Sequence, residues 1–460
     1  MAAERRLLDI AVSGASITRE VVVESGALSA LPAVAQRHLP AGPRLLVVDR
    51  NTRAAAGEAA RARLEAADNG PVELLELPGT PRVKADAALV DPIVDRASAL
   101  GGGLIAIGSG VINDLVKHAA ALRRAPYVCV ATAASMDGYA ASGAALHDRG
   151  FKRTFPCPPP VAIVADLDVI ATAPAAMAAW GYGDLAGKLV AGADWRLADA
   201  LDEEPINSGP FGLVQDNVRT WLSDPASAAA GGRPGLGHLM DGLLISGFAM
   251  QAHGNSRPAS GSDHQFAHLW EMEGREIDGL PAAHGACVGI GCVSMLALYD
   301  WLLAQSLDRL DVDSVLARLP IAETLRRQVD SAFPDARLAE SAWQETTAKR
   351  GAPGQVQHRL QRLRAVWPDL RQRLRRDLPT ADAMRRRLDA AGAPTEPALL
   401  GIDRAQHARD YLRARLIRRR YTLLDLLADL GWLETAVDAL FAPGGFWAAA
   451  ASEAARTRAG

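Results

Sequence analysis

The first third of the chain alternates short apolar segments with amphipathic ones, and this alternation restricts the fold more than any other feature. Strands are predicted at 44–49, 72–77, 104–107, 127–131 and 161–165, and helices at 54–67, 85–100 and 111–122. Continuous apolar strands separated by helices are typical of a parallel sheet with helices on its faces. We therefore predict an α/β domain built on a parallel, Rossmann-like sheet.

The strand signal disappears after Pro174. The remaining sequence is predicted to be helical, with Gly- and Pro-rich loops near 230–236, 351–354 and 392–397. A chain of 460 residues is too long for one ordinary hydrophobic core. We predict an α/β domain at 1–172 and an all-helical domain at 173–460.

Composition indicates a globular protein that is neither nucleic-acid binding nor membrane inserted. Hydrophobic residues make up 49%, charged residues 22%, and the formal net charge is -3, so the whole chain is not attracted to anionic partners. The four cysteines form no C-x-x-C pair, which favours a reducing compartment. We see no apolar run of the roughly eighteen residues that a membrane span needs, and we expect a cytoplasmic protein.

The stretch from Gln355 to Leu388 is rich in arginine and suggests an RNA-binding arm at first sight. Within it, apolar residues recur at spacings of three and four: Val356, Leu360, Leu363, Trp367, Leu370 and Leu374. This periodicity predicts an amphipathic helix with a solvated basic face. We therefore predict no nucleic-acid partner.

A glycine-rich turn, Gly108-Ser-Gly110, stands between a predicted strand and a predicted helix. Glycine lets the backbone approach a pyrophosphate, and the start of a helix attracts its charge. Asn113 occupies the position of a third glycine, so the turn is also compatible with a plain strand–helix connection. Asp49, at the end of the first clear strand, suits either a ribose hydroxyl or an N-cap. Together the turn and the acid favour a dinucleotide.

Three separated segments carry residues that suit a catalytic metal ion. The segment Ser260–His268 contains His264 and His268, His284 precedes Gly285, and Asp184 lies in a glycine-flanked segment. One carboxylate and two imidazoles suit Zn²⁺ or a similar ion and leave one coordination position open. Two alternatives remain: His264 and His268, four residues apart, both bind the metal, or Asp184 is the N-cap of a helix.

These motifs, taken together, resemble those of the sn-glycerol-1-phosphate dehydrogenase family, within the superfamily of iron-type alcohol dehydrogenases and dehydroquinate synthase. The resemblance rests on segments at 110–117, 131–139, 181–188, 260–268 and 284–285, and a segment at 418–431 is similar to the longer bacterial branch. It implies a dehydroquinate synthase-like fold, with a nucleotide-binding α/β domain followed by a helical domain.

The resemblance also implies roles for individual residues. Asp49 would contact the adenosine ribose. Asp137 and His268 would be catalytic and would contact the substrate. The metal would be held by Asp184, His264 and His284, and Asp184 would also lie near the substrate. Other NAD(P) contacts would come from Gly110, Val111, Ile112, Asn113, Asp114, Thr132, Ala133, Ala134, Ser135 and Ala141. Ala134 and Ala141 depart from the proline and serine of many members. A phosphorylated substrate would need cations, for which Lys152, Arg153 and Arg257 are candidates.

The activity implied by the resemblance is metal-dependent, NAD(P)H-linked reduction of dihydroxyacetone phosphate to sn-glycerol-1-phosphate, a phospholipid backbone, by a homodimer. Zn²⁺, Ni²⁺ and Fe²⁺ all fit the ligands. NADH and NADPH both stay open, because Asp49 disfavours a 2′-phosphate whereas Arg50 and Arg53 suit one. The alternatives are a polyol dehydrogenase acting on an unphosphorylated substrate, a dehydroquinate synthase-type cyclase, and a non-catalytic nucleotide-binding protein. A cyclase would normally have glutamate at position 184.

Overall fold

The computed structural model describes residues 2–68, 70–148, 151–307 and 310–448, without the side chains of 2–6 and 151–152. The chain divides into two compact units. The first comprises 1–185, 208–259 and 390–393, and the second 186–207, 260–389 and 394–460. The domain boundary at 172–173 stays a prediction, and most of the Ala- and Gly-rich C-terminal tail lies outside the described residues.

The first unit contains a parallel sheet, as predicted, and the sheet has six strands. The strands of this unit are β1 (Glu20–Glu24), β2 (Arg44–Val48), β3 (Val72–Glu76), β4 (Gly103–Gly108), β5 (Tyr127–Ala131), β6 (Ala144–Asp148), β7 (Phe151–Phe155) and β8 (Ala162–Asp166). The sheet order is β1-β8-β5-β4-β2-β3, and all its pairs are parallel. Strand β1 and the antiparallel β6–β7 hairpin were not predicted.

The first unit also contains helices, several of which pack against this sheet. They are α1 (Ala2–Ser13), α2 (Leu31–His38), α3 (Arg50–Thr52), α4 (Glu58–Ala66), α5 (Val90–Leu100), α6 (Gly110–Leu122), α7 (Leu167–Ile170), the first part of α8 (Ala175–Ala200), α9 (Ser208–Gln215), α10 (Val218–Trp221), α11 (Pro225–Ala229) and α12 (Arg233–His253). Alternate strand residues such as Ile105 and Val128 pack against helical residues such as Val34 and Leu64. Because side chains alternate along a strand, both faces of the sheet are apolar.

The order of the strands places a binding crevice at one edge of the sheet. From β2 the chain passes to β3 on one side and then to β4 on the other side of β2. Such a reversal leaves a crevice at the carboxyl ends of the two strands, where ligands of open α/β sheets bind. Asp49 follows β2 and Gly110 follows β4, so both lie at this crevice.

Among its described residues, the second unit is helical apart from a short hairpin of β9 (Glu276–Ile277) and β10 (Leu280–Pro281). Its helices are the rest of α8, α13 (Ser262–Met272), α14 (His284–Ala304), α15 (Val312–Leu316), α16 (Ala322–Ala332), α17 (Ala336–Arg350), α18 (Pro353–Asp377), α19 (Ala381–Ala390), α20 (Arg404–Ala414), α21 (Leu423–Asp429) and α22 (Leu433–Phe441). Helix α14 is long and apolar enough for a membrane span, but 89% of its most apolar window is buried. It therefore belongs to the buried core of this unit.

Helix α18 is the predicted amphipathic helix, and its arginines bind the ends of other helices. Its six periodic apolar residues are all buried. Arg371 Nε and Arg375 Nη2 donate to Leu303 O at 2.9 and 2.8 Å, and Arg362 Nε donates to Ala200 O at 3.2 Å. These carbonyls belong to the last turns of α14 and α8, where unpaired acceptors attract cations. The basic face therefore has a structural role.

His407 on α20 gives the second unit a predictable sensitivity to acid. It is buried among aromatic rings with its Nε2 atom 3.0 Å from Ser294 Oγ, and burial lowers its pKa from 6.5 to about 3. The neutral ring thus stabilises the fold above pH 6.5, and this contribution is lost as the pH falls toward 3. Lowering the pH from 7 to 5 should cost roughly 2 kcal/mol of unfolding free energy through this group. The unfolding free energy of His407→Asn, measured in urea, should depend less on pH than that of the wild type. An equal dependence on pH in the two proteins would contradict the role given to His407.

Candidate active site

The glycine turn after β4 brings the start of α6 to the crevice. A Cβ atom on Gly108 would lie 2.5 Å from Ile112 Cβ, so glycine is needed for this tight passage from strand to helix. Residues Gly110 to Asp114 form the first turn of α6, a helix of 13 residues. Their backbone N–H groups and the helix dipole form a favourable site for a pyrophosphate.

Buried polar groups of α6 hold the loop that follows Asp137. Lys117 is fully buried, and its Nζ atom donates to the carbonyl oxygens of Gly138 at 2.9 Å and of Ala141 and Gly143 at 3.0 Å. Asn113 is also buried and accepts from the Tyr127 hydroxyl at 3.1 Å. These hydrogen bonds join α6 to the loop after Asp137 and to β5. The predicted cofactor residues Thr132, Ala133, Ala134 and Ser135 are also buried.

Asp49 is the N-cap of α3. Its Oδ1 atom accepts from Thr52 N at 2.7 Å, and Thr52 Oγ1 accepts from Asp49 N at 2.9 Å. The N-cap interpretation is thus confirmed, and a contact with ribose stays a prediction. Arg53, one of the two cations considered for a 2′-phosphate, is ion-paired with Glu58 at 2.7 Å and Glu76 at 3.1 Å.

Asp184 lies in the interior of α8, so the alternative that it is an N-cap is wrong. The glycines around it had suggested a helix start, but the helix begins at Ala175. Asp184 is fully buried, and its Oδ2 atom accepts from the backbone N–H of Asp137 at 2.9 Å. This bond joins the predicted metal ligand directly to the predicted substrate residue.

The structure brings the three predicted metal ligands together. His264 lies on α13 and His284 is the first residue of α14, with ring centroids 5.3 Å apart. One ligand atom from each of Asp184, His264 and His284 lies within 4.8 Å of the others. A group of this size and donor chemistry fits one divalent cation.

A second group, His268, Glu271 and His284, satisfies the same distance limit. Glu271, however, accepts from both rings: its oxygens lie 2.8 Å from His284 Nδ1 and 3.3 Å from His268 Nδ1. Its carboxylate is therefore occupied by hydrogen bonds. The first group is the better metal site, and the alternative in which His268 is a ligand has less support.

Comparison with known proteins places the chain in a family. Residues 22–174 match the family model described as iron-containing alcohol dehydrogenase. Over 332 residues the chain is 30% identical to the glycerol-1-phosphate dehydrogenase [NAD(P)+] of Geobacillus stearothermophilus, covering 72% of each protein. The chain belongs to the glycerol-1-phosphate dehydrogenase family. It is also 33% identical to the enzyme of that name from Bacillus velezensis over 295 residues, which is 63% of this chain and 71% of that one.

Solved structures show that the fold is shared more widely. The structure of a probable glycerol dehydrogenase from Sinorhizobium meliloti 1021 superposes with a TM-score of 0.56 at 16% identity, over 92% of this chain and 98% of that one. At this identity the likeness concerns the fold alone. It confirms the predicted class, a parallel α/β sheet followed by a mostly helical part, as in iron-type alcohol dehydrogenases.

Buried Asp194 fixes the start of α13 in this member of the glycerol-1-phosphate dehydrogenase family. Its carboxylate accepts from Ser262 N and Ser262 Oγ, both at 2.7 Å, from the Tyr299 hydroxyl at 2.7 Å and from Leu423 N at 3.0 Å. Burial raises the pKa of Asp194, and these hydrogen bonds oppose the rise. Sequence reasoning missed this residue, because an aspartate inside a helix carries no signal of such partners.

Two more carboxylates and one cation near the histidines were also missed. Asp263 lies 2.6 Å from His264 Nδ1, and Glu271 contacts His268 and His284. The adjacent pair Asp263–His264 and the pair His268–Glu271, three residues apart, were the signals available in the sequence. Burial and the charge of Arg418 lower the pKa of His268 to about 3, while Glu271 opposes this shift.

The predicted phosphate-binding cations have different surroundings. Arg257 is fully buried. Arg153 is exposed and ion-paired with Asp148 at 3.1 Å. Lys152 lies on β7, and its side chain is outside the described residues. A role in binding phosphate stays a prediction for all three.

Proposed function

We propose that this chain catalyses the reversible reduction of dihydroxyacetone phosphate to sn-glycerol-1-phosphate with NADH or NADPH and a divalent metal ion. The observation that carries the proposal is the convergence of the Asp184 carboxylate with the His264 and His284 imidazoles. Membership of the glycerol-1-phosphate dehydrogenase family supplies the substrate. The product would serve as a glycerophospholipid backbone, and we place the enzyme in the cytoplasm as a homodimer.

The side chains fit a bound cation in chemistry as well as in distance. Asp184 and His264 are buried, and the Nδ1 atoms of His264 and His284 face carboxylates. A carboxylate accepts hydrogen bonds, so each Nδ1 atom carries hydrogen and each Nε2 atom keeps a lone pair for a metal. Once bound, Zn²⁺, Ni²⁺ or Fe²⁺ supplies Lewis acidity toward the substrate oxygens, and the reduced nicotinamide supplies hydride.

Asp137 and His268 would position the substrate. The backbone N–H of Asp137 donates to Asp184, which fixes Asp137 next to the metal ligand. His268 is 26% exposed and donates from Nδ1 to Glu271, so its Nε2 atom is left as an acceptor. We propose that this atom accepts a hydrogen bond from a substrate hydroxyl, while solvent provides the proton for the product alkoxide.

The substrate assignment predicts strong discrimination in favour of the phosphate ester. Metal-loaded enzyme should reduce dihydroxyacetone phosphate with a kcat/KM at least about 100-fold above that for dihydroxyacetone, because a charged phosphate forms strong charge-assisted hydrogen bonds. Oxidation of NADH and NADPH at 340 nm would be followed with each substrate. The product should resist a dehydrogenase specific for the sn-3 isomer.

Equal rates with the two substrates would instead support the polyol dehydrogenase alternative. Binding of NAD(P)H without turnover of either substrate would support a non-catalytic protein. The sn-3 isomer as product would contradict the assigned stereochemistry.

A further inference from the structure

We infer that Asp263 and Glu271 are positioning residues, each of which orients one of the two imidazoles of the candidate metal site. The inference rests on the proposed function. It assigns to these carboxylates a role in metal affinity without direct contact with the metal.

Asp263 is built into the fold around His264. Its side chain is fully buried, Oδ2 lies 2.6 Å from His264 Nδ1, and Oδ1 accepts from Gly261 N at 3.2 Å. A Cβ atom on Gly187 of α8 would overlap Asp263 Oδ2, and one on Gly261 would lie 2.9 Å from Asp263 Oδ1. Two glycines thus leave room for this carboxylate. Such close packing restricts the direction in which His264 can point.

Glu271 holds two rings at once. Its side chain is 6% exposed, its Oε1 atom lies 2.8 Å from His284 Nδ1, and its Oε2 atom lies 3.3 Å from His268 Nδ1. The ring centroids of His268 and His284 are 5.7 Å apart. A single carboxylate therefore fixes the orientation of a candidate metal ligand and of the histidine that we assign to the substrate.

These contacts select one tautomer of each ring. With hydrogen on Nδ1, only Nε2 remains as a donor to the metal, and the hydrogen bond to a carboxylate makes the imidazole a stronger ligand. Outer carboxylates of this kind typically affect metal affinity by about 10- to 100-fold. The expected effect is thus large enough to measure without an assay of turnover.

The test compares Asp263→Asn and Glu271→Gln with Glu273→Gln in the full-length protein. Glu273 is a matched control because it directly follows α13, two residues after Glu271, but pairs with Arg275 and Arg413 rather than with a histidine. Zn²⁺ affinity would be measured by competition with a chromophoric chelator. Asp263→Asn and Glu271→Gln should each weaken Zn²⁺ binding by at least about tenfold, whereas Glu273→Gln should not.

Two further measurements separate positioning from a general loss of folding. The visible spectrum of the Co²⁺-loaded variants should change in band position or intensity, because the imidazoles no longer hold a single orientation. NAD(P)H affinity should stay within about twofold of the wild type. Gly187→Ala, which displaces Asp263 without altering its charge, should reproduce the loss of Zn²⁺ affinity seen in Asp263→Asn.

Each outcome has a distinct meaning. Unchanged Zn²⁺ affinity and Co²⁺ spectra in both variants would overturn the inference. Complete loss of binding in Glu271→Gln, with binding retained in His264→Ala, would make Glu271 a ligand and overturn its positioning role. If the wild type itself binds none of Zn²⁺, Co²⁺, Ni²⁺ and Fe²⁺, the proposed metal-dependent function fails, which is a separate result.

Discussion

Replacing Asp184 by asparagine is expected to abolish turnover and metal retention while NAD(P)H still binds. The amide oxygen of asparagine can still accept the hydrogen bond from Asp137 N, so the local backbone should be kept. The negative charge, however, is lost from a site that relies on one carboxylate and two imidazoles. A metal held by these residues would supply Lewis acidity worth several kcal/mol, so its loss should reduce activity on the order of 1,000-fold, to the background of the assay.

His264→Ala should give the same pattern, because it removes another of the three ligands. His358→Ala is a suitable control: His358 is 63% exposed, and its ion pair with Asp202 lies at the surface, where such pairs contribute little. Metal content would be measured by elemental analysis and NAD(P)H affinity by fluorescence titration. Turnover by metal-free wild-type enzyme would contradict the proposed mechanism directly.

The parts of the fold that the sequence predicts are those whose signal is local. Strand β5 has the predicted bounds, because a five-residue apolar segment between turns can only be a buried strand here. Strand β1 escaped prediction because it is an edge strand, only partly buried and flanked by glutamates. The β6–β7 hairpin was missed because its strand segments, AALHD and FKRTF, show neither a continuous apolar run of strand length nor a regular alternation of apolar and polar residues.

Helix α8 shows why the glycines near the site misled the prediction. Glycine in a helix costs about 1 kcal/mol relative to alanine, so Gly181 and Gly187 suggested that a helix starts at Asp184. In the structure both are helical and lie against other groups: Gly181 against the carbonyl of Ala134, and Gly187 against the Asp263 carboxylate. The need for glycine comes from these tertiary contacts. A single sequence does not reveal them.

The candidate site shows the same limit. The proximity of Asp184, His264 and His284 could be predicted, because one aspartate and two histidines in those motifs are, when taken together, typical of a catalytic metal site. The role of Asp194 could not be predicted, since its partner Leu423 comes from a distant segment, and the contact of Glu271 with His284 depends on how α13 and α14 pack. Which carboxylates matter is thus decided by packing.

Replacing Gly181 by alanine should strongly disturb the first unit. A Cβ atom at this position would overlap the carbonyl oxygen of Ala134, and a backbone carbonyl cannot rotate away as a side chain can. Either α8 or the segment Thr132–Ser135 must move. Overpacking of this kind costs about 3 kcal/mol of unfolding free energy, and displacement of Thr132–Ser135 should weaken NAD(P)H binding by about tenfold or more.

Gly237→Ala is the matched control, because Gly237 is also helical but a Cβ atom there would have its nearest neighbour at 4.0 Å. Alanine at 237 should stabilise α12 by about 0.5–1 kcal/mol, so the two variants should shift urea unfolding in opposite directions. The sign of the change in unfolding free energy decides between two explanations, because helix propensity alone predicts that alanine stabilises the protein at both positions. If Gly181→Ala were as stable as Gly237→Ala and bound NAD(P)H normally, the contact between α8 and Ala134 would not restrain the protein. Asp184, on the same helix, would then owe its position to the hydrogen bond with Asp137 rather than to this contact.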